Sequence, residues 1–207
     1  MELASDNFEL FECNIPCVQI GVKVQPFNKL FSAVETNETV TLSIAEEDYN
    51  EGNIAHFTVE FENSKLKRTI ALYLNLTEPD GSGVYPEVSY STVVEMPSLD
   101  FSKVVRSLSN CSNYMGIVSS NKAILFHAIS PTNSSEIRYC HGDKIRIDER
   151  KVEAIQGVFS MVKMRDFIRC SSLSPTVQLQ LANHMPLVIQ YEVSNLGIIR
   201  LCLAGKD

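Results

Sequence analysis

Long apolar runs are missing from this sequence. The longest, such as Met185 to Ile189, fall far short of the roughly 20 residues that span a bilayer, so no transmembrane helix is expected. A basic start followed by an apolar stretch is also missing. Met1 to Asp6 is acidic and no h-region follows, so no secretory signal is expected. There is no CxxC pair. Cys13 and Cys17 are separated by three residues and have no second pair to complete a zinc site. With Cys111, Cys140, Cys170 and Cys202 they read as reduced, mostly buried thiols of an intracellular protein. No G-x-S-x-G, P-loop or H-E-x-x-H occurs, so no catalytic residue, cofactor or metal is expected. His56, His127, His141 and His184 stand alone, and Cys140 and His141 are too close in sequence to share one metal well. Aromatics make up 8% and do not interleave with basic residues, which argues against stacking on single-stranded nucleic acid.

What remains is ordinary for a globular chain of 207 residues: 44% hydrophobic and 21% charged. That composition excludes wholesale disorder. The length suits one large domain or two small ones. Asn37, Asn75, Asn110 and Asn133 each begin an N-x-S/T sequon. With no secretory signal expected, chance explains them better than glycosylation does.

Period-two alternation predicts strands at several places. Val18, Ile20, Val22 and Val24 share one face; so do Val40, Leu42 and Ile44, and Phe57, Val59 and Phe61. Val177, Leu179 and Leu181 repeat the pattern, and Leu187 to Val193 follows. Helical spacing appears three times, over Pro26 to Val34, Pro97 to Asn110 and Phe159 to Ser171. Each helix is followed by a polar turn and a strand, the strands being Thr39 to Ile44, Tyr114 to Ser119 and Thr176 to Leu181. In each helix a lysine follows the first residue of the apolar stripe (Phe27, Phe101 and Met161) by two residues: Lys29, Lys103 and Lys163. Residues 76–91, rich in proline, glycine, serine and acid, read as a linker. The predicted division is therefore 1–75, a connecting loop 76–91, and 92–207. One helix falls before the loop and two after it.

The formal net charge is −7, which excludes a surface covered in nucleic-acid-binding charge but not a local basic face. Lys103 and Arg106 share a helix face opposite Val104, Val105 and Leu108, and Asn110 extends it. Lys163 and Arg169 lie roughly on one face of the third helix, with Arg165 near and Asp166 diluting the charge. A solvated surface is the plain reading of any one of these lysines. Their recurrence in three units of an acidic chain favours phosphate contact without base reading.

Several segments resemble the proliferating cell nuclear antigen family of eukaryotic sliding clamps. They are FELFECNIPCVQIGVKVQPFNKL, GVYPEVSYSTVVEMP, MPSLDFSKVVRSLSN, SSLSPTVQLQL and MPLVIQYEVSNLGIIRLCLAGKD, which agree in order over nearly the whole chain. The resemblance implies an α+β DNA clamp fold, with duplicated domains, antiparallel sheets outside and helices lining a hole. It implies no chemistry, but a head-to-tail ring around double-stranded DNA, a homotrimer opened by a clamp loader. The ring would tether DNA polymerase and other replication and repair enzymes, in the nucleus or at a viral replication site.

By that resemblance Lys29, Lys103, Arg106, Asn110, Lys163 and Arg169 face DNA. Val84, Tyr85, Pro86, Tyr90, Pro186, Leu203 and Ala204 form the pocket for an aromatic-bearing partner peptide. The chain departs from the family pattern at Gly205, where proline is usual, and at Cys202, where an aromatic is common. Asn121 takes the place of the modifiable lysine, with Lys122 next to it. The family's first strand-helix-strand unit has no counterpart before Met1. Two alternatives stay open: a specialised clamp-like subunit that does not encircle DNA, and an intracellular β-rich interaction module without DNA.

Overall fold

The computed structural model describes residues 2–18, 20–50, 53–73, 89–120, 122–142, 144–149 and 154–206. The chain divides into two compact units, one made of Glu12–Val84 and the other of Met1–Phe11 with Tyr85–Asp207. The sequence placed residues 1–11 with the first domain. They belong to the second because strand β1 (Glu2–Leu3) pairs there, with Glu2 opposite Ile198 and Leu3 opposite Gly197. A Cβ at Gly197 would overlap the Glu2 carbonyl oxygen, so this close approach needs glycine.

The unit of residues 12–84 is small. Helix α1 (Val24–Phe31) lies beside a three-stranded antiparallel sheet. Its strands are β2 (Thr39–Ser43), β5 (His56–Glu62) and β6 (Lys67–Tyr73), with β5 in the middle. A two-residue pair, β3 (Tyr49–Asn50) and β4 (Asn53–Ile54), sits between them in sequence. Phe57, Val59 and Phe61 are buried, with Phe27, Leu30, Phe31, Val34, Val40 and Ile44 against them. The described residues of the expected strand at 18–24 form no strand. They lack a neighbouring strand, and Val24 instead opens α1, 77% exposed. Alternation fits a strand only where a partner can complete the ladder. Pro26 falls inside the first turn of α1, where its missing N–H has no intrahelical acceptor to lose.

Arg68 ties this unit together. Its guanidinium lies 5.3 Å from the Phe61 ring centroid and 2.7 Å from both oxygens of the Glu38 carboxylate. It also donates to the Ala33 carbonyl at the end of α1, at 3.4 Å. The Glu38 side chain is 1% exposed. The Glu35 backbone N–H donates to it at 2.9 Å. That bond first, with Arg68 after it, holds the Glu38 carboxyl below the usual carboxylate range.

The second unit carries the larger core. A six-stranded antiparallel sheet has the order β1-β15-β14-β13-β7-β11. Its other strands are β7 (Thr92–Pro97), β11 (Arg146–Glu149), β13 (Thr176–Leu181), β14 (Leu187–Val193) and β15 (Gly197–Leu203). A four-stranded sheet follows the order β10-β9-β8-β12. It consists of β8 (Tyr114–Ser120), β9 (Ala123–Ile129), β10 (Ser134–Cys140) and β12 (Ile155–Ser160).

Helices α2 (Ser98–Leu108) and α3 (Met161–Phe167) complete the unit. A 3-10 turn, Ile168–Ser172, continues α3. The third helix was expected from Phe159, but Phe159 and Ser160 pair with Met115 and Tyr114 in the sheet, so the helix starts at Met161. Both sheets and both helices feed one core, in which Phe101, Val104, Val105 and Leu108 of α2 are at most 1% exposed.

The thiols also differ from expectation. Cys13, Cys17, Cys140 and Cys202 are exposed, and only Cys111 and Cys170 are half-buried; all six are free. Outward positions on strands and loops suffice for a small thiol when no core contact selects it.

The Glu38 carboxyl titrates lower in the folded chain than in the unfolded one. It therefore stabilises the fold above the ordinary carboxylate range, and loses that effect as pH falls through its folded value. Glu38→Gln should lower the denaturant midpoint of this unit at pH 7. The gap from wild type should close when both are measured near pH 3.

Candidate nucleic-acid and peptide interfaces

The basic residues are placed by what their neighbours bury. With 101, 104, 105 and 108 facing the core, positions 103, 106 and 110 must face water. Lys103, Arg106 and Asn110 are all exposed. On α3, burial of Met161, Met164 and Ile168 does the same for Lys163, Arg165 and Arg169. Helix α2 packs beside α3 and its 3-10 continuation. The exposed sides of these neighbouring segments thus hold five basic residues against Asp100 and Asp166.

Two of the five have acidic neighbours one turn away. Lys103 Nζ lies 3.2 Å from Asp100 Oδ1, and Arg169 Nη2 lies 3.7 Å from Asp166 Oδ1. Both pairs are open to solvent, where such a contact is worth about 0–1 kcal/mol, so either base can be drawn away by a phosphate at little cost. Lys29 is exposed on α1, in the other unit.

The peptide-pocket residues fall into two groups. Val84, Tyr85 and Pro86 lie outside the described residues. The others converge through sheet register. Thr92 pairs with Leu181, and Leu187 pairs with Leu203. Tyr90, Pro186 and Ala204 therefore lie at one end of four adjacent strands, β7, β13, β14 and β15. Tyr90 is 4% exposed, Pro186 half-buried and Ala204 exposed. Leu203 is 8% exposed and belongs to the core, because alternation turns 203 inward and 202 and 204 outward. It can serve as floor but not as wall.

Two features of this end escaped the sequence. The chain after β15 leaves its sheet: the Lys206 N–H donates to the Val158 carbonyl at 2.8 Å, and its ammonium lies 4.1 Å from the Tyr114 ring centroid. The β13–β14 turn also crosses to the other sheet, through Asn183. Neither link leaves a periodic or charge signal.

Among the described residues no group of three His, Cys, Asp or Glu could hold a metal ion. A shallow hollow of about 420 Å³ beside the start of α2 is lined by Pro97, Leu99 and residues 171–175, without a titratable group. Burial pushes the Cys170 thiol and the Tyr191 hydroxyl up from their ordinary values, which favours the neutral form of each.

This antiparallel two-sheet unit thus presents the basic residues of its helices to solvent. Residues 84–206 match the family described as "Proliferating cell nuclear antigen, C-terminal domain". The whole chain is similar to "Proliferating cell nuclear antigen 2" of Drosophila melanogaster. The two are 25% identical over 207 residues, which is 100% of this chain and 78% of the relative. The chain belongs to the proliferating cell nuclear antigen family, whose members are non-enzymatic scaffold clamps of DNA replication and repair. Its role is clamp-like.

The placement of residues 203 and 204 is testable by stability. Leu203→Ala removes a core contact and should cost about 2–4 kcal/mol in chemical denaturation. Ala204→Ser, on the exposed side, should stay within about 0.5 kcal/mol of wild type.

Proposed function

We propose that the chain is a subunit of a DNA sliding clamp that closes head-to-tail around duplex DNA. The observation that carries this reading is the cluster of exposed Lys103, Arg106, Lys163, Arg165 and Arg169 on adjacent helical segments, in a chain of net charge −7. Lys29 adds a basic residue from the other unit, and Asn110 a neutral hydrogen-bonding group. Contacts of this kind read phosphate and not base sequence. Each can be exchanged for the next phosphate, which suits movement along the duplex.

Ring closure is supported by open strand edges. Among the described residues, β10 bonds only to β9 and β6 bonds only to β5, so each unit carries a seven-residue edge strand with an unpaired side; the shorter edges β2 and β11 likewise bond to one strand each. Antiparallel joining of such edges between copies would give a heterologous contact, and such contacts close into rings when the rotation allows. A homotrimer is the closed form this reading adopts, assembled on DNA by a clamp loader in the nucleus.

Partner enzymes would dock by a peptide at the strand end that holds Tyr90, Pro186 and Ala204, with Leu203 beneath. Val84, Tyr85 and Pro86 of the connecting loop would complete that pocket. An aromatic anchor gains most where such a pocket excludes water.

A second reading has a specific observation behind it. Asp100 and Asp166 offset part of the basic face, and a clamp-like subunit that does not encircle DNA would have less need of it. The two readings separate on circular DNA. A loaded ring should survive washing at 0.5 M salt and come off when the DNA is linearised; salt release from intact circles favours the second reading. For the unloaded protein, replacing both Lys103 and Arg106 by glutamate should flatten the salt dependence of DNA binding by about two in log–log slope. An unchanged slope would remove these two residues from the DNA face. Pro186→Glu should weaken binding of an aromatic-bearing peptide at least tenfold; unchanged affinity would remove the pocket assignment.

A further inference from the structure

The four-stranded sheet has two edges, and they are treated differently. Strand β10 is open. Strand β12 is closed by groups that belong to no strand.

A strand residue sends its N–H and C=O to the same side, and neighbours alternate. The Val158 carbonyl bonds away from β8, to Lys206 N at 2.8 Å. Residues 154, 156 and 158 therefore point outward, while 155, 157 and 159 face Ser119, Ile117 and Met115 of β8. On this outward side the Asn183 carboxamide makes two bonds. Its Oδ1 accepts the Gln156 N–H at 3.0 Å, and its Nδ2 donates to the Ala154 carbonyl at 3.2 Å. One planar amide thus engages the N–H of one residue and the C=O of the residue two before it. Those are the two groups that a single residue of an added parallel strand would engage. The side chain stands in for one residue of a strand.

Asn183 is brought there by the β13–β14 turn. Met185 N–H donates to the Ala182 carbonyl at 3.3 Å, and His184 takes a left-handed φ of 60°. The turn belongs to the six-stranded sheet, but its amide caps the edge of the four-stranded one.

We propose that Asn183, helped by the backbone of Lys206, seals the β12 edge against strand addition by a second copy of this chain. The sheet can then be extended only through β10, and assembly is one-directional. The occupant excluded is the β10 strand of another copy, which offers an open, unpaired edge. An unsealed β12 edge would accept it and nucleate open chains of molecules, the usual hazard of free edges. The choice of β10 as the joining strand rests on the ring reading above; the sealing of β12 does not.

The test uses the full chain in three forms: wild type, Asn183→Ala, and Asn183→Ala with Gln156→Pro. Proline at 156 has no outward N–H and is tolerated on an edge strand, so it closes the same edge by another route. Light scattering across a concentration series and amide exchange at Gln156 are the two readouts. In Asn183→Ala the Gln156 amide should exchange about fivefold faster or more, the loss of one ordinary hydrogen bond. The mean mass should rise with concentration to at least twice that of wild type. The double variant should return to the wild-type mass.

Unchanged mass in Asn183→Ala, with or without a loss of melting temperature, would overturn the proposal by making Asn183 a structural link alone. So would unchanged Gln156 exchange, or large species that persist in the double variant. A wild type that is monomeric, with association gained at Asn183→Ala and removed by Gln156→Pro, would sink the ring reading and leave the seal standing.

Discussion

Burial of one apolar stripe, Phe101, Val104, Val105 and Leu108, governs much of what this molecule presents to its surroundings. Each of these side chains contributes roughly 1.5–3 kcal/mol by leaving water, an upper estimate because the unfolded chain is itself partly compact. The exposed Lys103–Asp100 pair contributes about 0–1 kcal/mol. The packing term wins by a wide margin, so the rotation of α2 about its axis is set by the core. The outward direction of Lys103 and Arg106 is its consequence. The same reasoning covers α3, where Met161, Met164 and Ile168 are buried and the bases are left outside.

Sheet edges supply the second constraint. Two cross-strand devices hold the margins of the second unit. At one margin Glu2 pairs with Arg200 at 2.7 Å, and Arg200 donates in turn to Gln190 at 2.9 Å. This polar row crosses outward positions of neighbouring strands, where register places them side by side. At another margin Asn183 and Lys206 occupy outward groups of β12. Strand β10 has no such cover among the described residues. The sheet is thereby asymmetric, and asymmetry between edges is what a head-to-tail contact needs.

The smaller unit obeys the same physics with less to bury. No residue of α1 is fully buried, and its hold on the sheet depends on Phe27, Leu30 and Phe31 against Phe57 and Phe61. The Arg68–Glu38 pair then matters more than a surface ion pair would, because it joins the end of α1 to the start of β2 with the carboxylate out of water. Such a unit opens more readily than one with a shared two-sheet core.

Five strands (β2, β5, β8, β13 and β14), the three predicted helices and the outward direction of the bases were legible in the sequence, because period two and period 3.6 are local consequences of chain geometry. The α+β fold class and the family membership came from the ordered segments that carry the resemblance. Other properties depended on residues far apart in sequence. Val18 to Val24 alternates like a strand, yet its described residues form none, since alternation does not supply a neighbour to bond to. Phe159 and Ser160 continue a helical stripe yet lie in a sheet, because Met115 and Tyr114 offer a ladder. Residues 2 and 3 join the C-terminal strand because Gly197 lets two backbones approach. The assignment of Leu203 to the core, and of Asn183 to the edge of a sheet it does not belong to, came from tertiary structure alone. A single amide or leucine carries no period; only the packing that surrounds it decides which groups it meets.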